Sequence, residues 1–300
     1  MKTIILNSHP SVRWSHFIHY MQFLYWCCDK IFNNLDLKYF IFEPENRSTI
    51  NYIISFRKKI SNNFPNVIFT NRYKYKDVND KDIIEYKYSL PGLLEIGNFI
   101  LNNTEKKGEM MNWFPNNNSE KIKNLFINNN KNYNNIKIGL VNRKKNRKLN
   151  NYNQLCNSIK KNLKMDVDIT YFEGKSFDYQ IKFFNNHKII ISPHGAQLCS
   201  IPFSHKGSLI IECCHEEWHP YIYFPGLSQS SNMYHVMLCD NHSVFPTWWS
   251  EEYVDKERKR SNNSKLNIKI TKNKINKIIN IIKIYLKNKN KLNRKDCYLV

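Results

Sequence analysis

The run Ile189-Ile190-Ile191-Ser192-Pro193-His194-Gly195-Ala196-Gln197-Leu198, followed by Gly207-Ser208-Leu209-Ile210-Ile211-Glu212, decides the fold. It reads as an apolar strand, a turn of small residues opening a helix, a second turn, and an apolar strand ending in a carboxylate. Ala196 is the only alanine in the chain, which holds just 8 glycines. Against that background, Gly195-Ala196 marks a place where nothing larger fits. A strand-to-helix turn leaves unpaired backbone N–H groups at a helix N-terminus, and these favour an anion such as a phosphate. The residues alone leave a second reading open, a turn kept small only for packing.

Around this run the same rhythm repeats. Upstream, strands are expected over 136–141 and 167–172 and helices over 151–163 and 177–186, the latter capped by Ser176; strands over 188–192 and 208–213 flank a helix over 195–203. Consecutive strand–helix–strand units make a doubly wound parallel sheet, whose ligands lie outside the carboxyl ends of the strands. The N-terminal half shows a fainter version. Strands are expected over 3–6, 37–42 and 67–69, with helices over 12–32, from Ser48 through Ile60, over 93–102 and over 119–127, while 73–90 yields no clear element. The Asn-rich stretch 128–135 reads as a linker, dividing the chain into an N-terminal domain 1–134 and a C-terminal domain 135–300. Residues 268–292 space Ile270, Ile275, Ile278, Ile279, Ile282, Tyr285 and Leu286 for an amphipathic helix packed on the body, a weak contact with an acidic membrane surface being the alternative.

The 41% hydrophobic and 14% aromatic content supports a packed core and excludes a disordered chain. A net charge of +21 favours acidic ligands, although much of it lies in 256–295 and 143–148 and reads as lysine on solvated faces. The eight cysteines include the adjacent pairs Cys27-Cys28 and Cys213-Cys214, which suit neither a disulfide framework nor zinc spacing. Reduced core thiols, a first strand in place of a signal peptide, and no membrane-spanning run together predict a cytoplasmic protein.

The unusual chemistry falls in the loops at one sheet edge. Arg143 and Arg147 leave the strand 136–141 and can grip phosphate oxygens in bidentate fashion, although the loop taken alone reads equally as a solvated basic loop. They should end beside His194, Gly195, Ala196 and Gln197. His194 either donates to a phosphate or caps its own turn. Glu212 closes the next strand, where a carboxylate can accept from ribose hydroxyls. The aromatic stretch after it offers Trp218 and Tyr221 for stacking on a sugar or base, or for the core.

These motifs, in this order, resemble the C-terminal half of glycosyltransferase family 61, the DUF563 group. That family includes the EGF-domain-specific and protein O-mannose-linked N-acetylglucosaminyltransferases and plant xylan xylosyl- and arabinosyltransferases. Its pattern has an Arg-rich segment ending in Leu-Asn, an aromatic-Ser-Phe helix with a Gln, a Pro-His-Gly-Ala-Gly-Leu turn and a Gly-Ser-Val-Val-Glu strand. Here these are residues 143–150, Ser176-Phe177 with Gln180, 193–198, and 207–212. Trp14-Ser15-His16-Phe17 sits where members carry a His-Phe or His-Trp motif, and His19 sits where some place an acidic general base. Two departures stand out: Gln197 replaces the second Gly of His-Gly-Ala-Gly and would crowd a diphosphate, and Cys199-Ser200 replaces Thr-Asn.

The resemblance implies a GT-B fold, with two Rossmann-like domains facing a cleft, and inverting, metal-independent transfer from a nucleotide-sugar, expected to be a UDP-sugar, to a glycan or glycoprotein hydroxyl. No metal and no cofactor beyond that donor are expected. His19 or His16 is the expected catalytic base, since imidazole titrates near neutral pH. A degenerate nucleotide- or glycan-binding protein of the same fold is the alternative, favoured by Gln197 and the missing acidic base. A nucleic-acid-binding protein is favoured by charge alone, with no recognition motif to carry specific binding.

Overall fold

The computed structural model describes residues 2–7, 37–43, 51–69, 83–87, 118–127, 135–214, 223–238, 266–288 and 292. The chain divides into two compact units, Met1–Asn128 and Asn129–Val300.

The first unit is built on four strands: β1 (Lys2–Asn7), β2 (Leu37–Glu43), β3 (Val67–Phe69) and β4 (Ile83–Lys87). They pair in the order β3-β2-β1-β4, all parallel. Helix α1 (Asn51–Asn63) precedes β3 and buries Phe56 and Ile60, while α2 (Asn118–Phe126) buries Ile122. Phe56 stacks on Phe126 at 6.2 Å, so the two helices share an apolar contact. The strand β4 arises within 73–90, where the sequence suggested no element: its short apolar pair Ile83-Ile84 takes order from the β1 ladder beside it. The helices expected over 12–32 and 93–102 lie outside the described residues.

The second unit carries β5 (Ile138–Asn142), α3 (Tyr152–Leu163), β6 (Val167–Tyr171), α4 (Phe177–Asn186), β7 (Ile189–Pro193), a 3-10 helix (Ala196–Phe203), β8 (Leu209–Cys213), α5 (Tyr223–Ser230), β9 (Tyr234–Leu238) and α6 (Lys272–Asn288). The strand order is β6-β5-β7-β8-β9, all parallel. Every residue of β5, β7, β8 and β9 is buried, as a sheet covered on both faces requires. On one face Leu140, Ile191, Ile211, Val236 and Leu238 form a core with Leu155 and Ile159 of α3 and Ile275, Ile278 and Ile282 of α6. On the other, α4, the 3-10 helix and α5 cover β7, β8 and β9, with Phe177 set edge-on against Phe203 at 5.7 Å.

Two expectations change here. The segment opened by Gly195 is a 3-10 helix, not an α-helix. It holds Pro202, and residues 197–203 are all buried, so no polar face is left to sustain an amphipathic period. The apolar stripe of α6 is spent on the core, so the alternative of laying it on a membrane is overturned. No helix among the described residues is long and apolar enough to cross a membrane.

Gly139 on β5 shows how tightly the second face is packed. A Cβ there would come within 2.7 Å of the Phe183 ring and 2.9 Å of the His187 ring. Gly139→Ala is expected to lower stability by about 1–3 kcal/mol, the usual cost of overpacking, read as a lower urea midpoint at unchanged slope. An unchanged midpoint would show that α4 yields freely.

Candidate functional site

The strand order reverses between β5 and β7, and a crevice opens at such a point outside the strands' carboxyl ends. Two loops flank it. The first, residues 143–149, is held by one side chain: Asn142 Oδ1 accepts from the backbone N–H of Arg143 (2.8 Å) and of Leu149 (2.9 Å), and its Nδ2 donates to Leu149 O (3.1 Å). Leu149 is anchored in the core, and Asn151 ties the exit of the loop to the chain before α6 by accepting from Ile270 N (2.8 Å) and donating to Ile270 O (2.6 Å). Leu149 and the neighbouring Asn151 are therefore architecture, with Asn150 tied by its backbone N–H to Ile268 O: they fix a loop that carries Arg143 and Arg147.

The second loop is the turn at residues 193–196. Gly195 adopts φ 156° and ψ 179°, a region essentially confined to glycine. A Cβ there would fall on the Arg143 guanidinium and within 2.7 Å of Gln197 Oε1. The small residue thus makes room for an arginine. Gln197 turns under the loop, donating to Ser192 Oγ (3.1 Å) and Pro193 O (2.6 Å) and accepting from Arg143 Nη1 at a long 3.4 Å. The amide, buried with 8% exposure, is folded against the end of β7.

Electrostatics make this edge receptive to anions. Burial lowers the pKa of Arg143, opposed in part by the charge of Glu173. Burial and then the like charge of Arg143 lower Arg147 to about 10, with the Cys214 thiol acting the other way. Two guanidiniums depressed by desolvation, Arg147 also by the charge of Arg143, gain from any anion that reaches them.

Behind the turn lies a hydrogen-bonded chain. Glu212, with 0% exposure, receives His194 Nδ1 on Oε1 and His235 Nε2 on Oε2 (2.9 Å), and His235 Nδ1 meets Ser228 Oγ at 2.8 Å. Strand register explains the assembly, since His235 pairs with Ile210 and Glu212 lies two residues on, on the same face. Burial alone would raise the Glu212 carboxyl, but the two imidazoles outweigh it and hold it down at about 2. The expected ribose contact of Glu212 is corrected by the same geometry. Both carboxylate oxygens are engaged inside the fold, so Glu212 acts on His194 and not on a sugar.

Among the described residues, His194, Glu212 and Cys214 bring ligand-type atoms within 4.8 Å of one another. The imidazole and carboxylate of that group are bonded to each other, and Arg147 is in electrostatic reach of Cys214. An arginine in electrostatic reach of the thiol opposes a cation there. His16, His19, Trp218 and Tyr221 lie outside the described residues. Ser228 and His235 escaped the sequence reading, although a polar His235 inside the apolar strand Tyr234–Leu238 was a usable signal.

The family model described as Glycosyltransferase 61 matches residues 2–211 of this chain. No curated protein matches the sequence significantly. Solved structures with some likeness include the NAD-complexed D-isomer specific 2-hydroxyacid dehydrogenase of Lactobacillus delbrueckii ssp. bulgaricus, 12% identical, with 97% of this chain and 96% of that one covered at a TM-score of 0.26. The D-isomer specific 2-hydroxyacid dehydrogenase family protein of Klebsiella pneumoniae 342 is 8% identical, with 97% and 94% covered at a TM-score of 0.28. Likenesses this faint carry no argument about chemistry.

Proposed function

The chain belongs to glycosyltransferase family 61 and is a glycosyltransferase; on that premise we propose that its second unit holds the nucleotide-sugar donor between the two loops at the β5–β7 reversal. One observation carries this reading: Arg143 stands over the glycine turn, with Arg147 in electrostatic reach of it and both depressed in pKa by burial, at the edge where an α/β sheet takes its ligand.

The proposed reaction is inverting. An acceptor hydroxyl of a glycan or protein attacks the anomeric carbon, its proton passes to a base, and the bond from that carbon to the phosphate oxygen breaks. The nucleoside diphosphate leaves with the bonding electrons. The charge growing on it is met by Arg143, Arg147 and the backbone N–H groups opening the 3-10 helix, which is how we propose the transfer proceeds without a divalent ion. The base is proposed to be His19 or His16. The GT-B arrangement, with the first unit on the acceptor side, is part of the same proposal; its support is that each unit carries its own all-parallel sheet.

One observation favours the degenerate-binding alternative: the Arg143 guanidinium already has Gln197 Oε1 as a partner. A thermal-unfolding screen with nucleoside diphosphates and nucleotide-sugars, in EDTA, tests the proposal. A UDP-class ligand at a hundredfold excess over its Kd is expected to add about 2.7 kcal/mol, a shift of a few degrees. No shift with any ligand would sink the donor site. Binding without donor breakdown would promote the alternative.

A further inference from the structure

The chain from His194 to Ser228 uses Glu212, Ser228 and His235, all beyond the segment matched by the family model. We propose that Glu212, His235 and Ser228 are positioning residues that fix the tautomer and ring plane of His194 beside the donor turn. This rests on the donor reading above.

Hydrogen bookkeeping along the chain carries the argument. An ionised carboxylate only accepts, so both imidazole nitrogens that touch Glu212 must carry hydrogen. That makes His194 an Nδ1–H donor and His235 an Nε2–H donor. The buried carboxylate behind Nδ1 holds the ring plane, the part a carboxylate plays behind a functional histidine. His235 holds the carboxylate in turn: its Nε2 occupies Oε2, leaving Oε1 to His194. Ser228 holds His235, because its hydroxyl can donate to Nδ1 and fix the ring with Nε2–H toward Glu212. Packing supports the same purpose. Glu212, Ser228 and His235 are almost wholly enclosed, and Phe224 of α5 stands edge-on to the His194 ring at 5.2 Å. His194 sits between this support and the turn that carries Gly195 beneath the Arg143 guanidinium. Among the described residues the titratable groups near it include Glu212 and Cys214, with His235 on the far oxygen of Glu212 and Arg143 over the neighbouring Gly195.

The test uses the full chain labelled with 15N-histidine and assigned through His194→Gln and His235→Gln. Long-range nitrogen–proton spectra are expected to show hydrogen on His194 Nδ1 and on His235 Nε2; a His194 ring protonated only at Nε2 would overturn the proposal. In parallel, hydrolysis of a panel of UDP-sugars and binding of UDP are measured. Glu212→Gln keeps the volume and removes the charge. It is expected to lower kcat for donor hydrolysis about 10–100-fold, the range for partners behind a functional imidazole, while the Kd for UDP moves no more than about threefold. His235→Gln, which retains an N–H for Glu212, is expected to keep more turnover than His235→Leu. Unchanged turnover in folded Glu212→Gln, with UDP still bound, would overturn the positioning role and leave the donor site standing. If the wild-type chain binds no nucleotide, the donor reading falls, and the spectra alone decide whether Glu212 sets His194.

Discussion

Replacing Glu212 by alanine is expected to destabilise the second unit by about 3–5 kcal/mol, a large share of the 5–15 kcal/mol that holds a domain together. The residue has no exposure, and each carboxylate oxygen meets a buried imidazole. Its removal strands two rings and opens a cavity at the end of β8. The sign of the pH effect follows from the same contacts. The carboxyl sits at about 2 in the fold against an ordinary 4.5. A depressed acid contributes stability above its unfolded pKa and loses it as pH falls through the folded one. The Glu212 contribution is therefore full above about pH 4.5 and fades toward pH 2. Urea unfolding at pH 7, 4 and 3 reads this directly: the gap between wild type and Glu212→Gln should narrow with acid. A gap constant across that range would show that the two imidazoles do not hold the carboxylate ionised.

The second large effect belongs to the arginines. Arg143→Ala and Arg147→Ala are each expected to weaken nucleoside diphosphate binding by about 10–150-fold, the equivalent of one charged hydrogen bond at 1.5–3 kcal/mol. Stability without ligand should move differently. Burial and then Arg143 lower Arg147 to about 10. A cation depressed in the fold costs stability at neutral pH, and that cost fades as pH climbs past its folded value. Arg147→Ala should accordingly leave the ligand-free thermal midpoint level or raise it while cutting the nucleotide-induced shift to about half or less. This opposition of stability and function separates a binding arginine from a structural one. A variant that loses both together would mean that Arg147 holds the loop and not the ligand.

The second sheet was legible because its strands are bounded apolar runs, and Ser176 does cap α4 by accepting from Tyr179 N at 3.2 Å. What escaped has physical reasons. The helix Tyr223–Ser230 holds Pro225-Gly226, a pair that disfavours a helix, yet a proline in the first turn has no intrahelical N–H to lose. With α5 unread, β9 lacked its crossover and His235 its place. The site was half legible. Arginines, glycine turn and carboxylate were each singled out from local pattern. Their partners were not, because burial decides what a carboxylate can touch. Glu212 at a strand end suggested a sugar, and only the register of β8 on β9 shows that His235 reaches it first.

The central claim is that this chain breaks a nucleotide-sugar at the edge where Arg143 stands over the Gly195 turn, with Arg147 in electrostatic reach of it. Release of nucleoside diphosphate from UDP-sugars, in EDTA, by wild type and by the Arg143→Ala/Arg147→Ala double variant tests it most directly. The account predicts release from one donor class by wild type and none above background by the double variant, with the variant still folded. Equal release by both proteins would place the chemistry elsewhere and contradict the account.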